Sequence, residues 1–428
     1  MRIALISEHA SPLATIGSVD AGGQNIYVAH VARGLASQGH HVDVLTRRDD
    51  AGLPAVVDMR PGVRVVHIDA GPRRFVVKEE LLPHMPAFVR SSRQLFEHSI
   101  PYDVIHANFF MSGLVGLRLK ETFGVPLVMT FHALGLVRRE HQGSADGFPS
   151  SRIEIERQIV RDADRIIAEC PQDRSDLMRL YGAADQRISM VPCGVDLEVF
   201  RPASRSAARR RLGVGSQEFV VLQLGRLVPR KGIDNVIRAV ARLDRGVPAR
   251  LLIVGGESPT PDEQATPEIG RLRAVARECG VADRVTFIGH RQRDELRDCY
   301  AASDVFVTTP WYEPFGITPL EAMACGTPVI GSAVGGIQYS VVDGVTGFLV
   351  PPHDPPALAA RLAELHGNPS LAQALGRAGI RRVRSMFTWD RVARELADVY
   401  DRIRLPAPAV RAGRRLSLVQ ARQAGARA

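Results

Sequence analysis

The sequence predicts an α/β protein made of two doubly wound parallel sheets in tandem. Two observations carry this. Short apolar runs of strand length alternate with stretches of helical periodicity, the pattern of parallel strands covered by helices on both faces. The alternation then restarts after Phe200, so one such unit follows another. Ligands of these sheets sit beyond the carboxyl ends of the strands, and two facing units imply a cleft between them.

In the first half, residues 2–7 form an apolar run that reads as a buried strand. Residues 25–38 carry apolar side chains at helical spacing and close on Gly39. Strands follow at 41–46, 63–69, 103–106, 126–131, 165–168 and 188–191. Pro192 to Asp196, with Pro202 beyond, reads as a linker. The second half opens with a strand at 219–224 that ends at Gly225 and a helix at 234–243. A strand at 250–254 runs into Gly255-Gly256, and others lie at 285–289, 305–308 and 328–330. Gly335-Gly336-Ile337 and residues 343–350 are turn-rich, and the latter read as a structural hairpin. Residues 390–403 form a final helix.

Composition excludes other classes. A length of 428 residues suits two or three domains. Hydrophobic residues at 45% and charged residues at 24% exclude a disordered, collagen-like or coiled-coil chain. The net charge is +9, but residues 406–428 hold five arginines and no acid, which leaves about +4 for the rest. Nucleic acid is therefore not an expected partner. The basic tail reads as solvated and disordered, or as a weak contact with an anionic membrane surface. No apolar run approaches the ~18–20 residues of a membrane span. The amino-terminal stretch reaches a charge too soon for a signal peptide. The five cysteines are scattered without a CxxC pair, which suits free thiols in a reducing cytoplasm better than a zinc site. A cytoplasmic location is expected; oligomeric state is not read from these features.

Three motifs occupy loops where a ligand would sit. Asp20-Ala21-Gly22-Gly23-Gln24-Asn25 follows the first strand and opens a helix. Gly22 and Gly23 let the backbone approach a ligand, and a helix start favours an anion. A plain glycine turn is the simpler alternative. The string is not GxGxxG, which speaks against a nicotinamide cofactor. Gly225-Arg226-Leu227-Val228-Pro229-Arg230-Lys231-Gly232 lies beyond the first strand of the second half. Arg226 offers a planar fork and Lys231 a point charge, a pair suited to phosphates. A solvated loop cluster is the alternative. In Glu313-Pro314-Phe315-Gly316-Ile317-Thr318-Pro319-Leu320-Glu321, Pro319 suits a first helical turn. Residues 315–318 then present free backbone N–H groups to an anion. Two carboxylates aimed at a phosphate would repel it, so Glu313 and Glu321 are read as acceptors for the hydroxyls of a ribose and a hexose. Glu321 could equally complement the helix dipole.

Together these motifs resemble those of the family 4 retaining glycosyltransferases of the GT-B fold, over roughly residues 1–404. The resemblance implies two Rossmann-like domains facing across a cleft: an acceptor-binding domain over 1–197 and a nucleotide-sugar-binding domain over 198–385. It implies that a helix within 386–405 crosses back to the first domain, ahead of the basic tail at 406–428. It implies a nucleotide-sugar donor, a UDP-sugar by analogy, with no cofactor and no obligatory metal. Gly22 and Gly23 would approach the donor diphosphate. Arg226 and Lys231 would clamp it and stabilise leaving-group charge in place of Mg²⁺. Glu313 would hold the donor sugar hydroxyls beside the N–H groups of Phe315, Gly316 and Ile317. Glu321 would hold the ribose, and Arg291 would lie near the base. His132, in Thr130-Phe131-His132-Ala133, matches the family's histidine near the reacting sugar; a lone histidine is otherwise most often structural. The catalytic set is thus His132, Arg226, Lys231 and Glu313. No carboxylate is identifiable as a covalent nucleophile. The resemblance favours attack from the face that the nucleoside diphosphate leaves, with the leaving phosphate taking the acceptor proton.

On the acceptor side, His9, Asn25 and Lys78 look like those of a subgroup containing sucrose-phosphate synthases and the inositol-phosphate N-acetylglucosaminyltransferases of mycothiol synthesis. In that subgroup this region addresses a small, polar, often phosphorylated acceptor. Phe110 and Leu134 depart from it, standing where the inositol-phosphate enzymes carry Tyr and Thr. Each lost hydroxyl removes an acceptor hydrogen bond of roughly 0.5–1.5 kcal/mol, and the two apolar side chains are expected to make the pocket less polar. Arg73 and Arg74 with Lys78 would hold a phosphate or an acidic sugar, or form a solvated strand end. The competing functions are extension of a membrane-associated or lipid-linked glycan, an epimerase or phosphorylase of the same fold, and a non-catalytic nucleotide-sugar binding protein.

Overall fold

The computed structural model describes residues 1–14 and 22–404. Asp20 and Ala21 of the first glycine motif and the basic tail lie outside the described residues. Fourteen strands form two sheets among them. The first holds β1 (Arg2–Ile6), β2 (His41–Arg47), β3 (Val56–Arg60), β4 (Val63–Ile68), β5 (Val104–Asn108), β6 (Leu127–Thr130), β7 (Arg165–Ala168) and β8 (Ile188–Met190), in the order β3-β4-β2-β1-β5-β6-β7-β8. The second holds β9 (Phe219–Leu224), β10 (Ala249–Val254), β11 (Val285–Gly289), β12 (Val305–Thr308), β13 (Val329–Ser332) and β14 (Gly347–Val350), in the order β11-β10-β9-β12-β13-β14.

Central strands are buried on both faces. Ile3, Ala4, Leu5 and Ile6 of β1 are all fully enclosed, which explains an unbroken apolar run instead of alternation. Two features differ from the sequence reading. β3 was absent from it. This strand pairs antiparallel with β4 at the sheet edge, and its side chains alternate between exposed and half-buried. The hairpin expected over 343–350 is instead a turn leading into β14, which runs parallel to β13. A turn signal there marks only the entry to an edge strand whose partner is distant in sequence.

The chain crosses between the halves at two places that lie side by side. Val195 N–H donates to the Phe387 carbonyl at 2.9 Å. The Trp389–Ile403 helix then packs on the Gly23–Ser37 helix of the first half. A Cβ on Gly34 would stand 2.6 Å from Ala393 Cβ, so only glycine permits this approach. Trp389, Val392, Leu396 and Tyr400 are buried there, each contributing about 1.5–3 kcal/mol. The fold therefore ties its last helix to its first. No helix of the described residues is long and apolar enough to cross a membrane.

The strand orders locate the site. Strand order reverses direction between β1 and β5 in the first sheet, and between β9 and β12 in the second. Both switch points open a crevice at the carboxyl ends of their strands, and the loops that leave those ends supply the residues described next.

Candidate active site

A cavity of about 480 Å³ lies between the halves, lined by the segments after β1, β4, β5, β6, β7, β8, β9, β10, β11 and β12. Gly22, Gly23, His132, Arg226, Lys231, Arg291, Glu313, Phe315, Gly316, Ile317 and Glu321 all line it, as do His9, Asn25 and Lys78.

Two helix starts meet across this space. The Gly23–Ser37 helix begins after Gly22, and the Ile317–Cys325 helix begins after Gly316. A Cβ on Gly23 would stand 3.6 Å from Ile317 Cδ1, whereas one on Gly22 would meet nothing. Neither helix carries an acid in its first turn. First-turn N–H groups and both helix dipoles thus favour one anion between them. The backbone of the 313–316 loop packs directly on Gly335 and Gly336. Gly335 has φ +46°, and a Cβ there would fall 1.9 Å from the Glu313 carbonyl oxygen. Gly336 N–H donates to that oxygen at 3.1 Å.

The cationic loop faces the same space. Residues Pro229–Lys231 form a tight turn that aims Lys231 Nζ at the Glu313 carboxylate, to which it donates. Burial lowers the Lys231 pKa, and the charge of Glu313 partly opposes this. Burial pushes Glu313 up, but Lys231 and then Arg230 outweigh it, so the carboxyl ends below its ordinary value. Lys231 and Glu313 neutralise one another, while Arg226 and Arg230 add positive charge to the cavity wall. Glu321 is buried and accepts from the Tyr300 hydroxyl at 2.9 Å. Burial raises its pKa, partly opposed by Arg293.

Arg293 was not singled out from the sequence. Its three guanidinium nitrogens are buried without a hydrogen-bond partner among the described residues, and it lines the cavity with its guanidinium 5.1 Å from the Phe200 ring centroid. Arg291 is already engaged: its Nη1 donates to the Pro259 and His290 carbonyls at 2.9 and 2.8 Å. Of the two arginines, Arg293 carries the donors still to be satisfied.

On the first-half wall, His132 has φ +57° and sits just beyond β6. Its Nδ1 lies 3.2 Å from Glu169 Oε1, and its Nε2 lies 3.0 Å from Asn108 Oδ1. His9 Nδ1 lies 2.7 Å from Glu8 Oε1, and Ser112 Oγ donates to the other oxygen of that carboxylate. Glu8 and Glu169 were also absent from the sequence reading. Glu169 directly follows β7 and Glu8 stands two residues beyond β1, at strand ends where ligand-site side chains collect.

The acceptor side differs from the sequence reading in two places. Arg73 and Arg74 do not line the cavity. Arg73 is half exposed and turned onto Asp69 at 2.8 Å, so of that basic cluster only Lys78 reaches the cavity. Phe110 and Leu134 do not line it either; Phe109 and Phe148 do. Phe110 is fully buried and joins Phe109 and Phe148 around the Arg152 guanidinium, which pairs with Glu156 at 2.7 Å. The Asn25 amide is committed to backbone, accepting from Gly22 N–H and donating to the Ser11 carbonyl at 3.0 Å each. Asn25 shapes the helix start that borders the cavity.

Two doubly wound sheets whose strand-end loops line one cavity, with a cationic loop and two glutamates in it, define a GT-B glycosyltransferase. Sequence comparison agrees. Residues 21–199 match the Glycosyltransferase Family 4 domain, and residues 204–382 match Glycosyl transferases group 1. The D-inositol 3-phosphate glycosyltransferase 2 of Catenulispora acidiphila is 39% identical over 409 residues, covering 94% of this chain and 95% of that one. The D-inositol 3-phosphate glycosyltransferase of Salinispora tropica is 40% identical over 413 residues, covering 93% and 85%. The sucrose-phosphate synthase structure from Thermosynechococcus elongatus matches with a TM-score of 0.86 at 36% identity, covering 94% and 98%. Anabaena HepE, in complex with UDP and glucose, shares the fold with a TM-score of 0.73 at 23% identity, covering 94% and 99%. The chain belongs to the family 4 glycosyltransferases, and it is a glycosyl-transferring enzyme.

Proposed function

We propose that this glycosyltransferase moves a hexosyl group, with retention, from a nucleotide sugar to a hydroxyl of a small, polar, phosphorylated or acidic acceptor. The donor favoured is a UDP-sugar. One observation carries the reading: a cationic loop, two helix starts and two glutamates converge on one cavity.

The donor diphosphate binds between the Gly23 and Ile317 helix starts, held by Arg226 and Lys231. It competes with Glu313 for Lys231 Nζ. Binding therefore frees the Glu313 carboxylate to accept from hydroxyls of the donor sugar, with the N–H groups of Phe315, Gly316 and Ile317 beside it. Glu321 accepts from the ribose, and Arg293, more than Arg291, has donors to offer the base end. As the sugar–phosphate bond breaks, charge grows on the leaving phosphate. The fixed cations and N–H dipoles are stronger partners for that charge than for the intact donor, which is what accelerates the step. The acceptor enters from the first half beside His9 and Lys78, with His132 next to the reacting sugar. Its hydroxyl attacks the face that the diphosphate leaves and passes its proton to the leaving phosphate.

A thermal-shift screen of nucleoside diphosphates and nucleotide sugars tests the donor. A ligand at a hundredfold excess over its Kd adds about 2.7 kcal/mol to apparent stability. UDP and a UDP-sugar should raise the melting temperature more than their ADP and GDP counterparts. No shift with any nucleotide would refute the donor site; a larger shift with ADP or GDP would reassign the base. Transfer only to lipid-linked glycans in vesicles, with none to soluble sugar phosphates or acidic sugars, would overturn the acceptor class.

A further inference from the structure

The structure assigns Glu169 as the residue that positions His132. This rests on the reading of His132 as the side chain beside the reacting sugar, and it adds a residue that no motif marks.

Glu169 immediately follows β7 and is only 3% exposed. Its Oε1 faces two groups, His132 Nδ1 at 3.2 Å and the Cys193 thiol, which donates at 3.0 Å. Its own N–H donates to Asp173 Oδ2 at 3.0 Å, in the first turn of the Pro171–Tyr181 helix. The carboxylate is therefore fixed from its backbone outward. Burial alone would push its pKa up, but His132 and the hydrogen bonds outweigh this and leave it below its ordinary value.

A carboxylate only accepts hydrogen bonds, so the proton between the two groups belongs to His132 Nδ1. Nε2 faces Asn108 Oδ1 at 3.0 Å, a second acceptor, so in this arrangement it carries a proton as well. Asn108 is anchored in turn, its Nδ2 donating to the Ile6 carbonyl at 3.3 Å. The ring is thus gripped at both nitrogens, with the edge of Tyr27 against it at 4.8 Å between centroids. Its backbone lies in the left-handed region, at φ +57°. A non-glycine residue keeps such a conformation only where its surroundings over-determine it. Glu169, Asn108 and Tyr27 supply that constraint. The arrangement follows the general logic in which a buried acid orients a site histidine.

The test compares Glu169→Gln, Glu169→Ala and Glu169→Asp with His132→Ala and the His132→Ala/Glu169→Ala double variant, in the full chain. Gln keeps the volume and one acceptor oxygen; Ala removes the acceptor; Asp keeps the charge one methylene short. If Glu169 acts through His132, Glu169→Ala lowers kcat about tenfold or more and leaves the donor KM unchanged. Glu169→Gln loses less, and Glu169→Asp recovers part of the activity. The double variant is no slower than His132→Ala, because sites acting as a unit are not additive. Nitrogen-15 NMR of the His132 ring should report a protonated Nδ1 in the wild type, and a changed ring protonation in Glu169→Ala. Wild-type kcat in a folded Glu169→Ala variant, or a loss that simply adds to that of His132→Ala, would overturn the assignment. Unchanged turnover in His132→Ala would instead remove the reading on which it rests, and would overturn it by that separate route.

Discussion

Lys231 and Glu313 form an ion pair inside the donor cavity, and separating its structural from its catalytic role is a sharp test. On the proposed mechanism, Lys231→Ala removes one transition-state cation. Loss of one such contact costs about 2.7–4 kcal/mol, or roughly 10²–10³ in turnover. The same change leaves Glu313 without its donor. A fully buried orphaned charge costs about 3–5 kcal/mol, but the two side chains keep 18% and 15% exposure here. Arg226 and Arg230 also still face Glu313, so a stability loss nearer 1–2 kcal/mol is expected on that scale. Adding Glu313→Gln removes the orphaned charge. The double variant should therefore regain most of the lost melting temperature while turnover falls further. Steady-state kinetics and thermal melts on the wild type, both single variants and the double variant give the answer. Recovery of turnover in the double variant would mean that the pair matters only for charge balance, and the cationic clamp would be refuted.

Other consequences follow from the same geometry. Glu313→Gln should lower turnover more than it weakens nucleotide binding, whereas Glu321→Gln should weaken nucleoside-diphosphate affinity about tenfold or more, the scale of a charge-assisted hydrogen bond; equal UDP affinity in calorimetry would refute the ribose assignment. Lys78→Ala should raise the acceptor KM and leave slow donor hydrolysis unchanged, and an unaltered acceptor KM would remove the anionic-acceptor argument. Because the clamp is built from side-chain cations, EDTA should leave transfer largely intact; full loss reversed by a divalent cation would contradict it. Asp173 is pushed up to about 8 by burial and the charge of Glu169, so the folded protein keeps a proton that the unfolded chain releases near pH 4. Its contribution is then lost as pH rises from about 4 to 8. The melting temperature of Asp173→Asn minus that of the wild type should climb steadily from pH 5 to pH 8, and a flat difference would refute that environment.

The legible parts of this molecule are those set by local chemistry. Strands such as β9, β11 and β12 are short apolar runs with clear turn signals, and their limits agree with the sequence reading. β3, at the exposed edge, carries Asp58 and Arg60 and resembles a loop. In the site, Arg226 with Lys231 and Glu313 with Glu321 were readable because each pair lies within one short stretch of chain, a loop and a helix start. Glu8 and Glu169 were not, because Ser112, His132 and Cys193 reach them from distant parts of the chain, and Arg293 was not, because its burial without a hydrogen-bond partner among the described residues shows only in the fold. Single-residue choices were the hardest. Phe109 has φ +78°, and at that bend Phe109 borders the cavity while Phe110 turns into the Arg152 cage. Arg291 and Arg293 flank a helix start, and spacing alone does not tell which has its donors spent on backbone carbonyls.

The central claim is retaining transfer from a nucleotide sugar held between the two halves. The most direct test is proton NMR of the reaction as it proceeds. The purified chain is incubated with an α-linked UDP-sugar and a panel of sugar phosphates and acidic sugars, and the anomeric signal of the first product formed is assigned. The account predicts release of UDP together with an α-linked product. A β-linked product, or no nucleoside diphosphate released from any nucleotide sugar, would contradict it.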